Sequence, residues 1–113
     1  MQEQYDYIII GGGVVGCMVA RWLSRYEGKI LLIDKAADIG MGVSSANTAI
    51  VHAGYDPLPG TLKAYMNVKA NSMWDQLAGE LNFPFERRGD YVVAIGDDEL
   101  PIVDKLMQQG KQN

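Results

Sequence analysis

Residues 5–10 read Tyr-Asp-Tyr-Ile-Ile-Ile and close on an unbroken apolar run. Such a run fits a strand buried on both faces. Gly11, Gly12 and Gly13 end it. Beyond them the spacing predicts a helix over Val14 to Tyr26, with Val15, Val19, Trp22, Leu23 and Tyr26 as its packing face. Gly28 stands where a C-terminal cap would. Lys29 to Asp34 (Lys-Ile-Leu-Leu-Ile-Asp) is a second buried strand. Strand, helix and strand within about thirty residues make one βαβ unit, which implies parallel pairing.

Residues 36–60 break the pattern. They are rich in Gly, Ser, Asn and Pro, with one short apolar run at Ala49-Ile50-Val51. A segment of this length without periodicity reads as a functional loop, with room for one short helix. Helical spacing returns over Leu62 to Leu81, where Leu62, Met66, Ala70, Met73, Leu77 and Leu81 recur every three or four residues. This methionine-containing stripe is read as a packing face. Phe83-Pro84 ends the helix, and Tyr91 to Ile95 has the composition of a third strand. Asp97-Asp98-Glu99 then opens an acidic helix start running to about Gln109, where negative charge meets the positive end of the helix dipole. The closing Lys-Gln-Asn is expected to fray.

Composition narrows the classes. The chain has 113 residues, 48% hydrophobic and 21% charged, as in a single soluble domain. No apolar run approaches the roughly 18 residues of a membrane helix. The start, Met1-Gln2-Glu3-Gln4, lacks the basic residues of a secretory signal. A net charge of −4 gives no basic footprint for nucleic acid. One cysteine, Cys17, excludes an intrachain disulfide and a cysteine-based metal cluster; it reads as a small packing residue. No metal is expected. A reducing, cytoplasmic setting is the default, with peripheral membrane attachment of a longer parent left open.

Chemistry enters at Gly11-Gly12-Gly13-Val14-Val15-Gly16, which matches G-x-G-x-x-G. The pattern alone is weak, but its surroundings agree with it. It follows a buried strand, opens a helix, has the small Ala20 four residues after Gly16, and has Asp34 eighteen residues after Gly16 at the end of the second strand. Gly11 permits the tight turn, Gly13 admits a pyrophosphate close to the backbone, and Gly16 lets the helix lie near the strand. The first-turn N–H groups, with Val14 and Val15 among their carriers, then bind phosphate. Asp34 can accept from both hydroxyls of an adenosine ribose, and its charge disfavours NADP. No Gly-Lys-Ser/Thr follows, so a P-loop is excluded. The motif does not choose between NAD and FAD.

The next stretch does. Met41-Gly42-Val43-Ser44-Ser45-Ala46-Asn47-Thr48-Ala49-Ile50-Val51-His52-Ala53-Gly54-Tyr55-Asp56, followed by Pro59-Gly60-Thr61-Leu62-Lys63-Ala64, resembles the FAD-dependent oxidoreductases of the D-amino-acid oxidase type. Within them it is most similar to the anaerobic-type FAD-dependent glycerol-3-phosphate dehydrogenases. The L-2-hydroxyglutarate oxidases share a similar Ser…Asn…His-x-Gly…Pro-Gly-x-Leu-Lys-Ala stretch. The resemblance implies that Gly11, Gly13 and Gly16 cradle the FAD pyrophosphate and that Asp34 holds the ribose, where many relatives carry Glu. It implies that Lys35 flanks the adenine and that Ser44, Ser45, Asn47 and Thr48 line the path toward the isoalloxazine. Relatives often place Gly or His where Thr48 stands. His52 would lie near the flavin ring, to orient substrate or stabilise reduced-flavin charge rather than to act as general base. Ordinary loop hydrogen bonding is the competing reading for Ser44, Ser45 and Asn47, and a structural role for His52. Arg87-Arg88 could serve a phosphate substrate or form a solvated surface pair.

The fold class that follows is α/β: a Rossmann-like FAD-binding βαβ unit plus the beginning of an α+β substrate domain. Residues 1–85 are read as the N-terminal part of the FAD-binding domain and 86–113 as the start of the substrate domain. Relatives of this type run several hundred residues, so the chain is expected to be an N-terminal fragment, inactive alone. Two parallel strands make a poor sheet. Apolar surface on Ile8 to Ile10, Leu31 to Ile33 and the Met66/Met73 face is therefore expected to stay uncovered. The implied parent oxidises sn-glycerol 3-phosphate to dihydroxyacetone phosphate by hydride transfer to FAD. An L-2-hydroxyglutarate (2-hydroxy acid) oxidase or dehydrogenase and a non-catalytic nucleotide-binding module are the alternatives. The electron acceptor has no signature in these residues.

Overall fold

The run Tyr7–Ile10, a tyrosine and three isoleucines, forms strand β1, and Ile30–Ile33 forms β2, in a computed structural model that describes residues 3–113. Met1 and Gln2, at the head of the expected FAD-binding part, lie outside the described residues. The strands pair in parallel, Tyr7 opposite Ile30 through Ile10 opposite Ile33. The Tyr7 N–H reaches Lys29 O at 3.2 Å and the Gly11 N–H reaches Ile33 O at 2.7 Å, so the ladder runs on into the glycine turn. Helix α1, Val14–Leu23, joins the two strands. These elements belong to one of two units into which the chain divides, Met1–Ile50 and Val51–Asn113.

Helix α1 stops three residues short of the expected Tyr26. The Ser24 N–H still bonds to Ala20 O, but its hydroxyl donates to Arg21 O at 2.8 Å and competes for the backbone there. Gly28 is accordingly not the helix cap. It sits in the turn before β2 with φ +146°, where a Cβ would lie 3.1 Å from the Tyr7 ring. The packing face also differs from the expected one. Val15, Val19, Trp22 and Tyr26 are exposed, and the half-buried positions are Gly16, Cys17, Met18, Ala20, Arg21 and Leu23. Small residues win this face because the helix lies close to the turn. A Cβ on Gly16 would overlap the Gly11 carbonyl oxygen.

Residues 36–60 hold turns but no helix. In the second unit, helix α2 spans Leu62–Leu81 as its periodicity predicts. Thr61 caps it, Oγ1 accepting the Ala64 N–H at 3.2 Å. Asn82, left-handed at φ +52°, ends it. Trp74 packs on Phe83 and Phe85, ring centroids 5.9 and 5.8 Å away. The inward face is Ala64, Asn67, Val68, Asn71, Trp74 and Ala78. Of the predicted stripe only Leu77 is half-buried; Leu62, Met66, Ala70, Met73 and Leu81 are exposed. Helix α2 thus carries two apolar faces, one satisfied inside its own unit and one open, as expected of the Met66/Met73 face. Ile8, Ile10 and Ile33 of the sheet are likewise exposed, whereas Ile9, Leu31 and Leu32 are half-buried.

Tyr91 to Ile95 does not form the third strand. No ladder partner stands beside it among the described residues, and Tyr91, Val93 and Ile95 are 87%, 74% and 94% exposed. Strand-like composition makes no strand without a hydrogen-bonding neighbour. Asp97–Glu99 forms a single 3₁₀ turn, and helix α3 follows over Leu100–Gln112 with Pro101 in its first turn. The C-terminus does not fray: the Asn113 side-chain amide donates to Gly54 O at 2.9 Å and to Pro57 O at 2.8 Å.

Candidate functional site

The first unit presents the N-terminus of α1 at the end of β1. Gly11 takes φ +107°, the conformation that swings the chain from strand to helix and that side chains resist. Gly13 follows in extended backbone, φ −74° and ψ 179°. A Cβ there would meet only the Ser44 hydroxyl, at 3.2 Å. Val14 N–H donates to Ser44 Oγ at 2.8 Å, so a residue thirty positions on caps this helix. The N–H groups of Val15 and Gly16 have no partner among the described residues. Helix α1 carries no acidic residue in its first turn, so the dipole's positive end is not neutralised there. Two uncommitted amides at a helix N-terminus fit an anionic oxygen such as a phosphate's.

Asp34, at the end of β2, is tied to the same turn. Its Oδ2 accepts the Gly12 N–H at 2.6 Å and its Oδ1 accepts the Ala36 N–H at 2.8 Å. These amides, Ala36 first and then Gly12, with the Lys35 ammonium beside them, hold its carboxyl below the usual carboxylate range. An ionised carboxylate has about four acceptor positions, so it retains capacity for ligand hydroxyls. Next to it lies a cleft of about 390 Å³ lined by Ile10, Gly11, Ile33, Asp34 and Lys35. Apolar walls with one carboxylate at the rim suit a ribose and its base.

Gly12 escaped the sequence reading because it occupies a variable position of the motif. It is buried; its carbonyl accepts from Gly40 N–H at 2.8 Å and from Cys17 Sγ at 3.4 Å. A Cβ on it would press on Ile39, Leu32 and Asp34 at 3.1–3.4 Å. The signal was the unbroken run of three glycines, with Gly12 at its centre.

In the following loop the polar side chains serve the loop itself. Ser45 Oγ donates to Gly42 O at 3.0 Å. Asn47 Nδ2 donates to Ser44 O at 2.7 Å, and its Oδ1 accepts from Ala49 N–H at 2.8 Å. Thr48 is exposed and makes no hydrogen bond among the described residues.

The second unit carries His52. It lines a cavity of about 130 Å³ with Gly54, Tyr55, Asp56, Lys63, Asn67, Asp90 and others. Tyr55 donates its hydroxyl to Asp90 at 2.9 Å, which raises its phenol pKa. Asn67 Oδ1 is buried with no partner among the described residues. Arg87 is not a free phosphate ligand. Its Nε and Nη2 reach Asp75 at 2.7 and 2.6 Å, and Nη1 and Nη2 reach the Asn71 side-chain and main-chain oxygens, each at 2.8 Å. Arg88 pairs with Glu86 at the surface.

Comparison with known proteins gives the class these elements define. Residues 6–113 match the family model described as FAD dependent oxidoreductase, and the chain belongs to that family. It is 50% identical over 109 residues to a glycerol 3-phosphate dehydrogenase of Caloramator mitchellensis, covering 96% of this chain and 23% of that protein. It is 38% identical over 112 residues to a mitochondrial L-2-hydroxyglutarate dehydrogenase of Arabidopsis thaliana, covering 99% of this chain and 23% of that protein. Among solved structures, a dithionite-reduced L-α-glycerophosphate oxidase from Mycoplasma pneumoniae with FAD bound superposes with TM-score 0.88 at 32% identity, over 98% of this chain and 29% of that one. The chain therefore spans about a quarter of the length of these relatives.

FAD is the family's cofactor, and the first unit fits it. The free amides of Val15 and Gly16, the open approach at Gly13 and the cleft beside Asp34 match a pyrophosphate and an adenosine ribose. No helix among the described residues is long and apolar enough to cross a membrane.

Proposed function

We propose that the chain is the N-terminal, FAD-holding segment of a longer flavoprotein that oxidises sn-glycerol 3-phosphate to dihydroxyacetone phosphate. One observation carries the cofactor part: two uncommitted amides at the start of α1 stand beside Gly13, with Asp34 bonded into the same turn. The substrate part rests on the 50% identity to a glycerol 3-phosphate dehydrogenase and on the likeness to a glycerophosphate oxidase. Residues 1–85 would belong to the FAD-binding domain and 86–113 would begin the substrate domain.

Bound FAD supplies a two-electron acceptor for the hydride on the substrate carbon that bears the hydroxyl. This chain's residues bind and orient. Gly11, Gly13 and Gly16 shape the pyrophosphate cradle; Val14 and Val15 stand in the helix turn whose N–H groups face it. Asp34 accepts ribose hydroxyls and repels a 2′-phosphate, and Lys35 flanks the adenine. Ser44 holds the Val14 amide, while Ser45, Asn47 and Thr48 shape the loop along the flavin chain. His52, in the second unit, would orient substrate.

A second reading, oxidation of a 2-hydroxy acid, is favoured by the 38% identity to an L-2-hydroxyglutarate dehydrogenase. Anaerobic mixing of the full-length flavoprotein with each substrate separates the two. Bleaching of the flavin band by glycerol 3-phosphate, and not by L-2-hydroxyglutarate, is the expected result. The reverse would establish the second reading. A purified protein that binds ADP-containing nucleotides and is reduced by neither would be a binding module.

A further inference from the structure

The carbonyls of the His52–Pro57 loop all point at side-chain amides, with one exception at Ala53. Asn71 Nδ2 donates to His52 O at 2.9 Å. Gln109 Nε2 donates to Tyr55 O at 3.3 Å and Asp56 O at 2.8 Å. Asn113 Nδ2 takes Gly54 O at 2.9 Å and Pro57 O at 2.8 Å. No backbone–backbone hydrogen bond holds residues 47–57 among the described residues. Three carboxamides thus do for this loop what a ladder does for a strand. Gln109 is 8% exposed, and Gly54 and Pro57 are buried too, so the Gln109 and Asn113 bonds are partly shielded from water, whereas the Asn71 bond is exposed.

The residue types are specific to the task. A carboxamide NH₂ brings two donors without a charge, enough to bridge two carbonyls; Asp or Glu of the same shape would set negative charge against them. Close approach is built in as well. A Cβ on Gly110 would lie 3.1 Å from Tyr55 Cβ, and one on Gly54 would lie 2.7 Å from Val68 Cγ2. Asn71 is held in turn. Its Oδ1 accepts from Arg87 Nη1 at 2.8 Å, and Arg87 is anchored on Asp75. A chain Asp75–Arg87–Asn71 therefore ends on the carbonyl of His52.

We propose that Asn71, Gln109 and Asn113 are positioning residues: they fix the His52–Pro57 loop from α2 and α3, so that His52 meets its substrate in one preset orientation. The proposal rests on the reading of His52 as a flavin-side residue. It gives helix α3 a role in the reaction although α3 carries no reacting group.

Two variants of the full-length flavoprotein test it. Asn71→Asp keeps the acceptor for Arg87 and deletes the donor to His52. Gln109→Met keeps the volume and deletes both donors. Chymotryptic cleavage of the apoprotein after Tyr55, followed by mass spectrometry, should quicken about tenfold or more in each. In the holoenzyme, kcat should fall about tenfold while KM and flavin content stay near wild type. Unchanged cleavage in Asn71→Asp, which disturbs the buried side least, overturns the clamp. Faster cleavage with unchanged kcat overturns the positioning role. His52→Ala is the control for the underlying reading: if its turnover equals wild type, that reading fails, and the positioning role with it, whatever the cleavage data show.

Discussion

Asp34 has two tasks that pull on one carboxylate. It anchors the glycine turn through Gly12 N–H, and it offers its remaining lone pairs to a ribose. Asp34→Ala removes both. Hydrogen bonds to a charged group are the stronger kind, so FAD affinity of the full-length protein should drop by roughly tenfold or more, read by flavin titration. The same geometry sets a pH dependence. The carboxyl's pKa is lowered in the folded state, chiefly by the Ala36 and Gly12 amides. Its contribution is therefore complete above the unfolded value of about 4 and is lost as pH falls through the lower folded value. An NMR titration of the Asp34 Cγ resonance should give a midpoint below that of a free aspartate; a midpoint at or above it contradicts the turn contact. Gly16→Ala tests the opposite side of the turn. The added methyl would overlap the Gly11 carbonyl oxygen, so α1 must shift. Overpacking of this kind costs about 1–3 kcal/mol, seen as a lower melting temperature with loss of flavin.

The elements show where sequence reasoning had purchase. Strands β1 and β2 and helix α2 were legible because each is fixed by its own run of residues: short unbroken apolar runs, and twenty residues of helical spacing bounded by Thr61 and Asn82. The packing face of α1 was not, because hydrophobicity points to Val15, Val19 and Trp22 whereas contact distance selects Gly16, Cys17 and Ala20. The glycine motif carried this information in Gly16 itself. Residues 91–95 were misread because composition reports strand preference and not the presence of a partner strand. The carboxamides of Asn71, Gln109 and Asn113 had no signature, since their partners are main-chain carbonyls far away in sequence. The α1 cap is also long-range. Ser44→Ala leaves the Val14 N–H uncapped and should cost on the order of 1 kcal/mol, measurable as a drop in melting temperature of the full-length protein. A melting temperature equal to wild type would mean that water or ligand replaces the hydroxyl fully.

For the whole molecule, the exposed apolar faces decide how the 113 residues behave by themselves. Ile8 and Ile10 of the sheet and Met66 and Met73 of α2 are more than half exposed, on surfaces whose composition is that of a core. The isolated chain should self-associate, bind FAD weakly or not at all, and show no glycerol 3-phosphate turnover with a dye acceptor. A monomer by sedimentation with turnover like that of a full-length relative would refute this. The central claim is that the β1–α1 turn holds the flavin's pyrophosphate, and Gly13→Val addresses it most directly. Valine accepts the extended backbone at this position, and its Cβ meets only the Ser44 hydroxyl, so at most the Ser44 cap is disturbed while phosphate approach is blocked. The measurement is FAD content per chain in the purified full-length variant, with circular dichroism confirming that it is folded. The account predicts a folded, colourless protein. A folded Gly13→Val protein with one FAD per chain would contradict it.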